Sequence, residues 1–127
     1  IKDIGSSGEI SRVMLAVKTV LAKIDKVPVL IFDEIDANIG GVVATQVSKK
    51  LIELGKHHQI FCITHMPQVA AGGKTHYRVE KNVKNGRTTT EMILLENEDR
   101  VDEISRMLGG TEISTVVKTH AQELLRH

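Results

Sequence analysis

The chain has 127 residues, enough for one domain or part of one, and its hydrophobic fraction of 41% is ordinary for a globular protein. Seventeen basic residues balance 16 acidic ones, and only three residues are aromatic (Phe 2, Tyr 1), so neither charge nor base stacking points to nucleic acid. No apolar run approaches the roughly 20 residues that span a bilayer. The single cysteine excludes an internal disulfide framework, so we expect a cytoplasmic protein.

Helices and strands are predicted to alternate through the first half of the chain. A capping box, Ser6 to Glu9, begins a helix over about residues 7–23. The apolar run of residues 29–32 predicts a strand buried on both faces, and residues 59–64 predict a second strand. The helix between them ends near Gly55. This order favours a parallel sheet. The apolar faces of the two helices are predicted to be Ile10, Val13, Met14, Val17, Leu21 and Ile24, then Val43, Val47, Leu51 and Leu54.

The second half of the chain has a different pattern. Residues 75–83 and 88–95 favour strands around Asn85-Gly86, which is a strong hairpin signal. Two helices are predicted to follow, and Gly109-Gly110 separates them. The apolar positions that mark them are Val101, Ile104, Met107 and Leu108 in the first, and Ile113, Val116, Val117, His120, Leu124 and Leu125 in the second.

Chemically active side chains follow both strands of the predicted parallel sheet. Asp33, Glu34 and Asp36 come after the first strand, and His65 comes after the second. Carboxyl ends of parallel strands meet at one edge of a sheet, where ligands of open α/β folds bind. Acids at that edge can hold a metal or act on water, although a solvated acidic turn is the simpler interpretation of the carboxylates alone.

The helix start at Ser6, Ser7, Gly8 and Glu9 is a second candidate site. Free backbone N–H groups and the helix dipole can bind an anion there, and an ordinary capping box is the alternative interpretation. By contrast, Gly73-Lys74-Thr75 lacks the earlier glycine of a phosphate-binding P-loop and leads into a predicted strand.

In this order, these motifs resemble the C-terminal lobe of an ABC-type ATPase head. Their amino-acid sequences are similar to those of the RecN family of bacterial SMC-like DNA-repair ATPases. The segments that carry the resemblance are SSGEISRVMLA (6–16), LIFDEIDA (30–37), ITHMPQVAA (63–71) and ISRMLGG (104–110), followed by His120-Ala121 and Leu124-Leu125. The resemblance implies an α/β fold: the C-terminal lobe of a P-loop NTPase of the ABC/SMC-type head, with a parallel sheet core flanked by helices, a β-hairpin and C-terminal helices.

The resemblance also implies site roles, with ATP and Mg²⁺ as cofactors. Ser6 and Gly8, within the signature motif of residues 6–9, would reach across a head dimer to ATP held by the partner. Asp33 would position Mg²⁺ through water, and Glu34 would orient or deprotonate the attacking water. Asp36 would begin the stretch that includes the D-loop at the dimer interface, and His65 would contact the γ-phosphate. These roles agree with phosphoryl transfer, which depends on positioning and charge stabilisation.

Two departures from the family pattern bear on activity. Ser7 stands where the family signature usually has glycine, so its Cβ could crowd a close backbone approach. The sequence also has no Walker A loop, and it begins at Ile1 rather than Met. We therefore expect a piece of a longer protein, residues 1–127 forming the C-terminal part of a head whose N-terminal lobe and coiled coil lie elsewhere. Alone, it is expected to be inactive.

The resemblance further implies a second ATPase head and DNA as partners, no membrane partner, and a nucleoid-associated place in the cytoplasm. Three alternatives remain open. A metal-dependent phosphohydrolase or nuclease would use Asp33, Glu34, Asp36 and His65 directly, a non-catalytic module would act by docking, and an ABC transporter head would require a membrane partner.

Overall fold

The computed structural model describes residues 12–13, 15–17, 19, 27–84, 86–110 and 114–126. The chain divides after Gly72 into two compact units, residues 1–72 and residues 73–127.

The first unit contains a parallel pair of strands joined through a helix. Its elements are β1 (Val29–Asp33), α1 (Gly41–Leu54), β2 (Gln59–Ile63) and α2 (Pro67–Gly72). Val29 lies opposite Gln59 and Asp33 lies opposite Ile63, so the two strands are in register and end at the same edge. The predicted parallel pairing is confirmed. The short helix α2 was not predicted.

The core of the first unit lies on one face of this sheet. Leu30 and Phe32 of β1 are buried there, because side chains two residues apart on a strand point to the same side. Burying a side chain of this size contributes about 1.5–3 kcal/mol, before the entropy of ordering it is subtracted. The other buried members of the core are Leu15, Ile35, Ala44, Val47, Leu51, Leu54 and Val69.

The prediction that β1 is buried on both faces is wrong for this chain. The opposite face of the two-stranded sheet is exposed, and four large apolar side chains lie on it. They are Val29 (43% exposed), Ile31 (69%), Phe61 (53%) and Ile63 (61%). We call these four residues the open sheet face. An apolar run predicts that both faces of a strand avoid water, but it does not say which segment covers each face.

Some predicted helix faces also need correction. The described residues between 12 and 19 are helical, yet Val13 and Val17 are exposed and Leu15 is buried instead. The other predicted positions of this face, Ile10, Met14, Leu21 and Ile24, lie outside the described residues. On α1, Ala44 and Ser48 are buried, whereas Val43 is 47% exposed. In both helices apolar residues occupy more than one side. The helical period therefore predicts the helix but does not select the side that packs.

The second unit is a hairpin followed by two helices. Its elements are β3 (His76–Lys84), β4 (Arg87–Leu95), α3 (Asn97–Gly109) and α4 (Thr115–Leu124). The strands pair antiparallel from His76 opposite Leu95 to Lys84 opposite Arg87, as predicted. Gly86 and Gly110 have φ of +73° and +68°, values that glycine adopts without strain, at the hairpin turn and at the end of α3. Asn85 and Ile113 lie outside the described residues.

Apolar and ionic contacts both stabilise the second unit. Leu95, Ile104 and Ala121 are buried, although Val116, one of the apolar positions that mark α4, is 78% exposed. The buried carboxylate of Glu103 accepts hydrogen bonds from Arg106 Nη2 at 2.6 Å and Nε at 3.0 Å. No helix within the described ranges is long and apolar enough to cross a membrane.

Candidate functional site

The parallel pairing brings the two predicted groups of functional residues to one edge of the sheet. Asp33 is the last residue of β1 and lies opposite Ile63, the last residue of β2. Glu34 therefore begins the turn at this edge, and His65 lies two residues beyond the end of the neighbouring strand. The prediction that the acidic residues after β1 and His65 after β2 lie at the same edge of the sheet is confirmed. Their roles stay predictions.

The turn after β1 has an unusual backbone. Glu34 has φ of +51° and Asn38 has φ of +59°, and the N–H of Ala37 donates to the carbonyl of Glu34 at 3.0 Å. Asparagine tolerates this left-handed region, but for a glutamate it is a strained conformation that requires support from its surroundings. Strain of this kind is concentrated at functional sites, and Glu34 is the residue predicted to act on water.

Asp36 lies in the interior of the same turn. Its side chain is fully buried, and its Oδ2 accepts hydrogen bonds from the backbone N–H groups of His65 at 3.1 Å and Met66 at 3.0 Å. The hydroxyl of Thr64 also donates to Oδ2. A buried carboxylate that accepts several hydrogen bonds can retain its charge away from water. Asp36 therefore ties the turn after β1 to the segment after β2.

The side chain of His65 extends outward from this connection. It is 67% exposed, and its Nδ1 lies 3.4 Å from Asp36 Oδ1. A second link reaches the turn from the described helical residues, because Arg12 Nη1 donates to the carbonyl of Ala37 at 2.8 Å. The turn is thus held at two consecutive residues, Asp36 and Ala37, while the His65 ring remains exposed.

Burial and the acidic residues at this edge also affect the thiol on β2. Burial is the main reason that the pKa of Cys62 rises to about 12, and the nearby carboxylates of Asp36 and Asp33 raise it further. The thiol is therefore neutral at physiological pH. It is not a thiolate ligand or nucleophile.

The exposed carboxylate of Asp33 fits the cation that the resemblance implies. Mg²⁺ prefers oxygen ligands and is commonly bound through one or two carboxylates, water and substrate phosphates. Asp33 can supply one such carboxylate at the exposed edge. Across the described part of the chain, no three metal-binding side chains of His, Cys, Asp or Glu are grouped together.

Part of the predicted site lies outside the described residues, namely Ser6, Ser7, Gly8 and Glu9. Conversely, the structure brings in three groups to which the sequence assigned no role: the Thr64 hydroxyl, the Met66 N–H and the Arg12 guanidinium. Thr64 and Met66 flank His65 directly, but their contact with Asp36 depends on strand register rather than on any local pattern.

Known proteins resemble this chain in sequence and in fold. No family model matches the chain. RecN DNA repair proteins are similar to it over almost its whole length: 47% identity over 99% of the chain for Xylella fastidiosa (strain 9a5c), 43% over 97% for Bacillus subtilis, and 42% over 98% for Vibrio cholerae. The chain spans only 21–23% of the length of these relatives.

A solved structure from work on the ATP-driven dimerization and DNA-stimulated activation of SMC ATPases has a similar fold. The TM-score is 0.61 at 20% identity, and the similarity covers 85% of this chain and 65% of the other. At that identity the similarity supports the fold alone. Over nearly all of its length, the chain is thus similar in sequence to one segment of RecN, and its fold is similar to that of part of an SMC ATPase.

Proposed function

We propose that this chain is the C-terminal lobe of an ATP-hydrolysing head that acts in DNA repair and recombination, as part of a RecN-like protein. One observation carries the proposal: Asp33 and Glu34 reach the same sheet edge as His65, and Asp36 links the two sides through hydrogen bonds. The RecN relatives support the family of the parent protein, and the SMC fold supports the type of head.

The residues at the edge would divide the work of phosphoryl transfer. Asp33 would hold Mg²⁺ through water, and the ion when bound would neutralise charge on the β- and γ-phosphates of ATP. Glu34 would accept a hydrogen bond, and then a proton, from the attacking water. His65 would contact the γ-phosphate through its exposed ring. The hydrogen-bonded turn that carries Glu34 would contribute to this positioning.

The proposed site requires partners beyond this chain. The open sheet face is apolar and continuous with Asp33, because Asp33 follows Val29 and Ile31 at two-residue spacing. We expect the N-terminal lobe, with its Walker A loop, to cover this face and bring the phosphates to Asp33. Ser6, Ser7, Gly8 and Glu9 would act on ATP bound by a second head, and the parent would act on DNA at the nucleoid in the cytoplasm.

The geometry favours this function over a metal-dependent phosphohydrolase or nuclease that uses Asp33, Glu34, Asp36 and His65 directly. Such a site needs several carboxylates directed at one metal. Asp36 is instead fully buried, and its Oδ2 is already engaged by Thr64, His65 and Met66. It is therefore oriented toward its own chain rather than toward a metal that Asp33 could share.

The test is a Glu34→Gln substitution in the full-length protein that carries this segment. Glutamine keeps the size of the side chain but cannot accept the proton, so we expect the rate of ATP hydrolysis to fall by about 10²–10⁴-fold. The affinity for Mg-ATP should stay unchanged. Steady-state ATPase assays and calorimetric titration measure the two quantities.

Glu53→Gln is the matched control, because Glu53 is exposed on α1, where it forms a salt bridge with Lys50. It should leave turnover unchanged. The isolated 127-residue chain should neither hydrolyse Mg-ATP nor bind it with micromolar affinity. Turnover by Glu34→Gln at the normal rate, or tight binding by the isolated chain, would contradict the proposal.

A further inference from the structure

Asp36 uses its two carboxylate oxygens differently. Oδ2 accepts the hydrogen bonds that fix the segment after β2, from His65 N–H, Met66 N–H and the Thr64 hydroxyl. Oδ1 is buried and has no hydrogen-bond partner among the described residues, and Nδ1 of His65 lies 3.4 Å from it. The second oxygen therefore faces the imidazole ring of the residue that the first oxygen holds by its backbone.

The contacts to Oδ2 do not by themselves require a charged residue. An asparagine carbonyl could accept the same three hydrogen bonds, and burying a neutral amide is less costly than burying a carboxylate. What an amide cannot reproduce is a second acceptor directed at the ring, because its other terminal atom is a donor NH₂ group. The distinguishing property of an aspartate at this position is thus its action on His65 Nδ1.

A carboxylate oxygen can only accept, so a proton on Nδ1 makes this 3.4 Å approach favourable, whereas a lone pair on Nδ1 would make it repulsive. We propose that Asp36 is a positioning residue that holds His65 with Nδ1 protonated and with Nε2, on the far side of the ring, presented to the ligand. This inference rests on the proposed function of His65. Fixing one nitrogen through a second residue determines which nitrogen of a histidine remains for chemistry.

The arrangement has a consequence when an anionic phosphate reaches the ring. Phosphate oxygens are also acceptors, so a ring held between Asp36 and a phosphate carries protons on both nitrogens. The carboxylate behind the ring then offsets the positive charge that the phosphate contact requires. Asp36 would thus support the contact between His65 and phosphate without touching the ligand.

Ring ¹⁵N chemical shifts of this 127-residue chain test the inference without any nucleotide. At a pH where its imidazole is neutral, wild-type His65 should carry its proton on Nδ1. In Asp36→Asn, the carbonyl should take over the backbone hydrogen bonds, and the NH₂ group should donate to Nδ1. The His65 proton should therefore move to Nε2, and a purely structural role for Asp36 would not produce this inversion.

Asp33→Asn is the matched control, because it makes the same chemical change at the exposed end of β1 and should leave the His65 tautomer as it is. The exposed His57 ring provides an internal reference. A wild-type His65 protonated on Nε2 would overturn the proposal even if Asp36→Asn failed to fold.

The full-length protein provides a second measurement. Asp36→Asn should lower kcat by at least about tenfold, with little change in Mg-ATP affinity. A loss of this size is typical when a residue that orients a catalytic histidine or metal ligand is replaced. An inverted tautomer with normal kcat would overturn the positioning role while leaving the proposed ATPase intact. Normal turnover in Glu34→Gln would instead overturn the ATPase assignment, whatever the tautomer.

Discussion

At the scale of single residues, the candidate site separates groups that face outward from groups that face the chain. Asp33, Glu34 and His65 are exposed at the sheet edge, whereas Asp36 is fully buried between them. Adjacent acids of similar chemistry thus have different environments. The left-handed backbone at Glu34, with φ of +51°, helps to create this difference because it reverses the chain directly after β1.

The thiol on β2 offers a residue-scale prediction. Because burial, with help from Asp36 and Asp33, raises the pKa of Cys62 from 9.0 to about 12, its thiolate is scarce at neutral pH. The rate of alkylation follows the thiolate fraction, partly compensated by the greater nucleophilicity of a more basic thiolate. We expect iodoacetamide to modify the native chain at least about 30-fold more slowly than the urea-unfolded chain.

Mass spectrometry of timed samples gives both rates. The native rate should also keep rising up to the highest pH at which the chain remains folded, without the plateau of an ordinary thiol. Equal rates in native and unfolded chains, or a plateau near pH 9, would show that Cys62 has the ordinary pKa.

Residue roles at this site could be predicted only in part from the sequence. The order of Asp33, Glu34 and His65 and the two apolar runs are local patterns, and they sufficed to predict the shared edge. The hydrogen bonds of Asp36 join residues 28 to 30 positions apart, so they depend on strand register and turn geometry. No spacing rule predicts such contacts.

At the scale of elements, periodicity and turn residues predicted most of the fold. The parallel strands, the hairpin at Gly86 and the end of α3 at Gly109-Gly110 agree with the structure. The helix α2, Pro67–Gly72, was missed because six residues are too few for a helical period to be evident. It forms because Val69, Ala70 and Ala71 are buried, and tertiary packing is what usually stabilises short helices.

The contact between α1 and α2 gives an element-scale prediction. A Cβ added to Gly72 would overlap the Oγ of Ser48 and lie 3.3 Å from Ile52 Cδ1. We expect Gly72→Ala to lower the free energy of unfolding by about 1–3 kcal/mol, as overpacking does. In a Ser48→Ala background the overlap with Oγ disappears and only the 3.3 Å contact with Ile52 Cδ1 remains, so the substitution should then cost less than about 1 kcal/mol.

Urea unfolding of the four chains in this double-mutant cycle gives the coupling. Gly40→Ala is the control, because a Cβ at Gly40 would have no neighbour within 4 Å and its φ of −88° suits any residue. Gly40 is the N-cap of α1, where alanine is less favourable than glycine, so its effect should be about 0.5–1 kcal/mol and should not depend on Ser48. If Gly72→Ala cost as much in the Ser48→Ala background as in the wild type, the predicted overlap would be refuted.

At the scale of the whole molecule, burial was harder to predict than secondary structure. An apolar residue on a helix or strand can pack within this chain or against a segment elsewhere in a longer protein, and periodicity is the same in both cases. The chain spans about a fifth of the length of its RecN relatives, and the open sheet face, Val13, Val17 and Val116 are apolar but exposed. Of these, the open sheet face is the contiguous apolar patch, whereas single exposed apolar side chains are common on protein surfaces.

The last prediction concerns the acid stability of the second unit. Burial lowers the pKa of His76, assisted by Arg100 and opposed by Glu103. Because the pKa of His76 is lower in the folded chain than in the unfolded chain, only the unfolded chain binds this proton as the pH first falls below about 6.5. The free energy of unfolding therefore decreases as the pH falls from about 6.5 to the folded-state pKa.

The second group is a carboxylate. Burial would raise the pKa of Glu103, but Arg106 and Arg78 together hold it below 4.5. Its contribution is complete above that pH and is lost as the pH falls through the folded-state value.

The single tyrosine, Tyr77, lies in β3 and the chain has no tryptophan, so tyrosine fluorescence reports on the second unit alone. We expect urea midpoints from this signal to fall in two steps, below about pH 6.5 and again below about pH 4.5. His76→Gln should remove the first step. Glu103→Gln should lower the midpoint at neutral pH and remove the second step, because the charge paired with Arg106 is then absent at every pH. Glu123→Gln changes an exposed residue on α4 and should keep both steps. If it abolished either step, or if His76→Gln left the first step in place, His76 and Glu103 would not be the groups that control acid stability.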